Sequence, residues 1–166
     1  MRSETRAGLE TGFPTTGEIR SVVILAAFSD VGFTVPDPQR AFERMLNEEG
    51  YSDNGALGSA RDYYLDNSGG RFRPTFDVVG PVTLDHPVAY YGANTDYRDE
   101  NAERMIIEAC HKAERAGVDF SQYDFDNDGK IDNVFVYYAG HNESDGGGMN
   151  TCLLYTSDAA DDTPCV

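Results

Sequence analysis

The sequence predicts an α/β or α+β fold, a sheet covered by helices. Three observations carry that reading. Val22-Val-Ile-Leu-Ala-Ala-Phe28 is a continuous apolar run, the signature of a strand buried on both faces. Asn133-Val-Phe-Val-Tyr-Tyr-Ala139 is a second such run. Between them lie segments whose apolar residues recur at helical spacing, so strands and helices alternate along the chain.

Taken in order, the first strand ends at Ser29-Asp30, where Asp30 suits a turn cap. Asp37 then reads as an N-cap and Pro38 as a first helical residue, because its fixed φ already matches a helix and its missing N–H costs nothing there. Ala41, Phe42, Met45 and Leu46 form one stripe, and Gly50 is placed to close that helix. Ser59-Ala-Arg-Asp62 resembles a capping box with Asp in place of Glu. It would start a short helix carrying Tyr63 and Tyr64 and stopped by Asn67-Ser-Gly-Gly70. Phe72, Pro74, Phe76 and Val78 alternate with polar residues, as in a half-buried strand, and Pro74 places it at an edge or beside a bulge. Gly80-Pro81 is expected to turn the chain into Val82-Thr-Leu84. Ala102, Met105, Ile106, Ala109, Ala113 and Ala116 make one face of the longest helix, capped by Gly117.

At 166 residues the chain suits one domain of ordinary size. A formal net charge of -16 excludes nucleic acid and anionic membranes as natural partners and suits a protein that collects cations. No apolar run is long enough to span a bilayer. Met1 to Gly17 is polar and lacks the apolar core of a secretory signal, so the chain either is cytosolic or has lost its true start.

The most informative stretch is Asp124-Phe-Asp126-Asn-Asp128-Gly129-Lys130-Ile131-Asp132. Alternate residues of a tight loop can point inward together, so Asp124, Asp126 and Asp128 can share one hard cation, while Asp132 reaches it directly or through water. With Lys130 these are the candidate metal-site residues. Gly129 permits the bend, and Ile131 can pin the loop to a core. Calcium fits best, since the ligands are oxygens and the loop is open. The EF-hand pattern fails at its twelfth position, which is Phe135 rather than a bidentate Glu. The competing reading is a solvated acidic turn.

A set of motifs in fixed order now resembles a known family. Phe28-Ser-Asp30, Gly58-Ser-Ala-Arg-Asp-Tyr-Tyr64, Asp66-Asn-Ser-Gly-Gly-Arg-Phe72 and Phe76-Asp-Val-Val-Gly-Pro81 come first. Tyr90-Tyr-Gly92, Val118-Asp-Phe-Ser-Gln-Tyr-Asp124, Asp126-Asn-Asp-Gly129 and Tyr138-Ala-Gly140 follow. From about Arg20 to Met149 the chain looks like the front part of an M6-family metalloprotease of the immune inhibitor A type. The resemblance implies a zincin-like twisted mixed sheet packed on helices, here incomplete. It also implies secretion by a bacterium, protein or peptide substrates, and peptide-bond hydrolysis by zinc-activated water. In the family a later helix carries His-Glu-x-x-His, whose two imidazoles bind zinc on one face. That motif is not in this sequence, and its histidines, His86, His111 and His141, stand apart from one another. The expectation is therefore a fragment that holds no catalytic residue and is inactive by itself, with calcium in the acidic loop and zinc only in the full-length protein.

Residues 1–19 are expected to be a leader or pro-segment remnant, and 20–151 the front of the catalytic domain. Cys152 to Val166 changes character abruptly and resembles the translation of a transposase-type sequencing adapter; the acidic balance survives without its Asp158, Asp161 and Asp162. His86 and His111 read as surface residues, and His141 as a loop residue that can line a substrate path. Cys110 reads as a packed thiol. Arg61 and Asp62 read as ion pairs or caps, and the Tyr63–Tyr64 and Tyr90–Tyr91 pairs as core or cleft lining. Two other function classes stand beside the protease: a non-catalytic calcium-binding extracellular module, dockerin-like or adhesive, and a complete small cytosolic domain with an acidic turn.

Overall fold

The computed structural model describes residues 14–92 and 101–141. The elements run β1 (Gly17–Ala27), α1 (Pro38–Asn47), α2 (Ala60–Asn67), β2 (Phe72–Thr83), α3 (Val88–Tyr91), α4 (Ala102–Arg115) and β3 (Val134–Tyr138), with short 3-10 turns at Asp53–Gly55 and Phe120–Tyr123. The sheet order is β2-β1-β3, and β1 pairs parallel with both neighbours. The mixed sheet expected from the resemblance is thus all parallel among the described residues.

Two helical layers cover the sheet, which explains the unbroken apolar run of β1. Val22, Ile24 and Ala26 face a core with Leu84, Tyr91, Met105, Ala109 and Ala113. Val23 and Leu25 face the other core, with Leu46, Phe76 and Val78 and with Phe42 and Met45 at its margin. Residues 22 to 26 of β1 are fully buried, as a central parallel strand requires.

The helix starts follow local chemistry. Asp37 accepts from the Arg40 amide and Pro38 opens α1. Ser59 and Asp62 form the reciprocal capping box of α2, with Asp62 Oδ2 accepting from the Ser59 amide at 2.9 Å and Ser59 Oγ from the Asp62 amide at 3.2 Å. Asp62 also accepts from the Gly50 amide at 2.8 Å. Gly50 therefore ties the exit of α1 to the start of α2, whereas α1 itself ends at Asn47 with Glu48 as its cap. These amides hold the Asp62 carboxyl below its usual range.

β2 is an edge strand among the described residues, and its outer edge is closed by α1. Asn47 donates from Nδ2 to the Phe76 carbonyl at 2.9 Å and accepts the Phe76 amide on Oδ1 at 2.8 Å. Gln39 Nε2 donates to the Val78 carbonyl at 2.9 Å. Alternate amides of a strand point the same way, so the ring nitrogen of Pro74 also faces this outer edge, where no ladder bond is lost.

Three expectations are corrected. Gly80-Pro81 does not end the strand: β2 runs on to Thr83 through an irregularity opposite Ile24 and Ala26. Gly80 sits at φ +102°, and a Cβ there would lie 2.7 Å from the Leu25 carbonyl oxygen, which is why glycine is needed. β3 is half-buried along its length rather than buried, because β1 is its one described neighbour in the sheet. Ile106 stands on the solvent side of α4, 42% exposed, while Met105, Ala109 and Ala113 make the buried stripe.

Candidate metal centre

The acidic loop bridges the 3-10 turn Phe120–Tyr123 and β3, and both ends are anchored. Tyr123 is buried, and its hydroxyl donates to Asp77 Oδ2 of β2 at 3.0 Å; the same oxygen pairs with Arg20 of β1 at 2.9 Å. Arg20 also donates to Gln122 at 3.1 Å. Burial first, and the Asp77 charge second, push the Tyr123 phenol up to about 12. At the far end Asp132 accepts the Phe125 amide at 2.6 Å and donates its own amide to the Tyr123 carbonyl at 3.1 Å. Ile131 packs against the core beneath, as its position suggested.

Between these anchors Asp124, Asp126 and Asp128 come together, each offering a carboxylate oxygen within 4.8 Å of the others; Asp124 is half-buried and the other two are exposed. The loop closes on its own backbone. Asp124 accepts from the amides of Asp128 at 3.1 Å and Gly129 at 2.9 Å, Asp126 accepts from Asp128 at 3.1 Å, and Asp128 accepts from Lys130 at 2.8 Å. Asn127 and Gly129 take positive φ to make the bend. A carboxylate oxygen has two lone pairs, so these bonds leave acceptor capacity for a hard cation. Asp132 has one oxygen committed to the Phe125 amide. The Lys130 ammonium lies 3.6 Å from Asp128, so that residue can face a cation only through its carbonyl.

The other sequence candidates lie elsewhere. His86 is exposed and stacks on Tyr90, with centroids 4.1 Å apart. His111 is exposed on α4 beside Glu114. His141 is exposed after β3, and Asn142 and Glu143 fall outside the described residues, as do residues 1–13, Gly146 to Gly148 and Cys152 to Val166. Asp30 accepts the Val88 amide at 2.9 Å, so it holds the start of α3, 58 residues away, rather than capping its own turn as expected. Cys110 is half-buried on α4, and burial raises its thiol pKa. Tyr91 is fully buried, with its hydroxyl donating to Glu108 at 2.6 Å, while Tyr63 is exposed. Sequence reasoning missed Arg20, Asp77 and Tyr123, which hold the loop. Asp77 shares the polar face of its alternating strand with Arg73 and Thr75, so nothing in the sequence singled it out.

The geometry defines an α/β/α domain with an oxygen-lined loop at one end of a parallel sheet. Residues 37–152, more than half of the chain, match the family model of the immune inhibitor A peptidase M6 catalytic domain. The chain belongs to this metalloprotease family. It is similar to the pre-pro-metalloprotease PrtV of Vibrio cholerae serotype O1, in strains M66-2 and ATCC 39315 (El Tor Inaba N16961), at 26% identity over 131 residues in each case. That similarity covers 68% of this chain and 14% of the length of each relative. Among the described residues the aspartate trio is the one grouping of three metal-capable side chains, and the three histidines are not part of it. An all-carboxylate, largely exposed set does not fit the nitrogen- or sulfur-rich coordination of catalytic zinc.

Proposed function

We propose that this chain is the sheet-forming front part, residues 20–151, of the zincin-like catalytic domain of a secreted bacterial zinc metalloendopeptidase. The family match over residues 37–152 is the observation that carries the reading. Its substrates are proteins or peptides, and its zinc ligands and general base lie outside the residues described here. In support, the sequence holds no His-Glu-x-x-His, and the three histidines stand on separate segments. The 166-residue chain is then scaffold without catalytic machinery. Incubating the purified chain with zinc and casein tests this. No hydrolysis is expected, and casein breakdown accompanied by stoichiometric bound zinc would place the machinery within this chain and overturn the reading.

We further propose that the acidic loop binds calcium through Asp124, Asp126 and Asp128, the carbonyl of Lys130, and Asp132 directly or through water. The convergence of three carboxylates on a loop anchored at both ends supports it. Calorimetric titration of the chain with calcium should give one site per chain, weakened at least about tenfold in Asp126→Asn through loss of a charged ligand. Equal affinity in both proteins, or none in either, would refute the assignment. A dockerin-like module is not favoured, since a single loop runs directly into β3 rather than between paired helices.

A further inference from the structure

The sheet face beneath α1 and α2 is not closed along its whole length. Val23 and Leu25 of β1 are covered there by a core with Leu46, Phe76 and Val78. Two residues before Val23, on the same face of β1, is Ser21. Around it the layer opens into a cleft of about 450 Å³. Tyr64 of α2, Pro74 and Phe76 of β2 and Phe135 of β3 form its walls. Phe76 stands between the other two rings, with centroids 6.5 Å from Tyr64 and 5.9 Å from Phe135. Among the described residues no charged side chain lines the cleft. The rim side chains Asn67 and Ser68 already serve the backbone: Asn67 donates to the Tyr63 carbonyl at 2.8 Å, and Ser68 accepts the Phe72 amide at 2.9 Å. Ser21 differs from both. It is 2% exposed, it lines the cleft, and no described residue hydrogen-bonds to its hydroxyl.

We propose that this cleft binds a neutral, fused-ring aromatic molecule bearing one hydroxyl, which pairs with Ser21 Oγ. Each part of that description follows from the lining. A buried hydroxyl without a partner is costly, and a ligand group that both donates and accepts recovers the cost. The absence of charged lining residues disfavours an ionised ligand, whose desolvation nothing here would offset. Walls made of aromatic rings and a proline favour a planar aromatic guest, which can lie edge to face against them. Size sets the number of rings. An apolar cavity of about 150 Å³ is enough for benzene. This cleft is larger and falls within the range of small-molecule sites, about 300–1,000 Å³ with few polar groups among apolar walls. The site lies on the face of the sheet opposite α4 and shares no residue with the aspartate trio.

The probes are 2-naphthol and 2-methylnaphthalene, which differ by a hydroxyl against a methyl group of similar size. Each is titrated with the full chain at neutral pH and followed by its own fluorescence anisotropy, which no tryptophan obscures because the chain has none. 2-Naphthol should bind saturably with one site per chain, and 2-methylnaphthalene about tenfold more weakly or worse. Ser21→Ala should weaken 2-naphthol about tenfold and change 2-methylnaphthalene less than about twofold, so that the preference disappears. A general loosening of the cleft would instead weaken both. The comparison of the two probes on the unaltered chain stands by itself if Ser21→Ala does not fold. Absence of saturable 2-naphthol binding, equal affinity for the two probes, or a folded Ser21→Ala that keeps the preference would each overturn the proposal. Pro14 and Thr15 also line the cleft, and Phe13 directly precedes them in the sequence. Saturable binding seen in Phe13→Ser but not in the unaltered chain would give the cleft to the chain's own segment and overturn it as well.

Discussion

Asn47→Ala should destabilise the domain far more than its place near the end of a surface helix suggests. The side chain completes a rung of hydrogen bonding along the outer edge of β2, giving to the Phe76 carbonyl at 2.9 Å and taking its amide at 2.8 Å. Phe76 is only 7% exposed, so both main-chain groups lose their partners with little access to water. A net loss of about 1 kcal/mol per bond, plus the desolvation of whichever group water cannot reach, gives about 2–3 kcal/mol. Urea unfolding followed by far-UV circular dichroism should show this as a midpoint about 1–2 M lower. Asn47→Asp sharpens the test. It keeps the acceptor for the Phe76 amide but sets a carboxylate against the Phe76 carbonyl, so the protonated form is favoured in the folded state and the folded pKa is raised. The variant should therefore gain stability, relative to wild type, as pH falls through that range. The wild-type carboxylates trend the other way: amides at Asp62, and Lys112 at Asp85, depress the folded pKa, and their contribution is lost on acidification. An Asn47→Ala midpoint equivalent to within about 0.5 kcal/mol of wild type would refute the edge-closing role.

Gly80→Ala should cost about 3 kcal/mol or more, because the added Cβ meets backbone on both sides, 2.7 Å from the Leu25 oxygen and 2.8 Å from the Val82 nitrogen, at a φ of +102°. Soluble yield and the urea midpoint read this directly, and a wild-type midpoint would refute it. Met105→Ala should cost about 2–4 kcal/mol by opening a cavity under α4, whereas Ile106→Ala should stay within about 0.5 kcal/mol. Reversed magnitudes would mean that α4 is rotated about its axis. Tyr123 should resist ionisation until about pH 12 in an ultraviolet titration. Because its folded pKa is raised, its contribution is complete below about pH 10 and is lost as pH climbs towards about 12. Tyr123→Phe should remove that late-titrating phenol from the curve.

How much was legible in the sequence followed the range of the interactions. The capping box at Ser59 and Asp62 and the Asp37–Pro38 start are settled within four residues, and the structure matches them. The buried run of β1 was equally plain, because a central parallel strand needs apolar residues on both faces. The failures are long-range. Gly80-Pro81 reads locally as a turn, and only the pairing of Ala26 with Val82 carries the strand onward. Ile106 sits at the margin of the apolar stripe, where helical periodicity alone cannot separate a buried position from an exposed one. Asn47 and Gln39 reach an edge strand some thirty to forty residues away, and nothing at their own positions announces it. In the acidic loop the spacing foretold that Asp124, Asp126 and Asp128 would converge, but not that Asp132 would spend an oxygen on the Phe125 amide.

That last detail bears on what a cation can do here. The clasp between Asp132 and Phe125, the Asp132 amide bond to Tyr123, and the Tyr123–Asp77–Arg20 chain link the base of the loop to β1 and β2. They set the entry to β3, whose Val134 pairs with Val22 of the central strand. The three aspartates at the tip repel one another, and a divalent cation would relieve that repulsion while leaving the base as it is. Under the proposed calcium reading, the ion would act as a local clamp on residues 124–130 and stiffen the approach to β3. The proposed division of labour follows from that: fold and loop anchorage reside in residues described here, while the hydrolytic chemistry of the family needs ligands that these elements do not bring together.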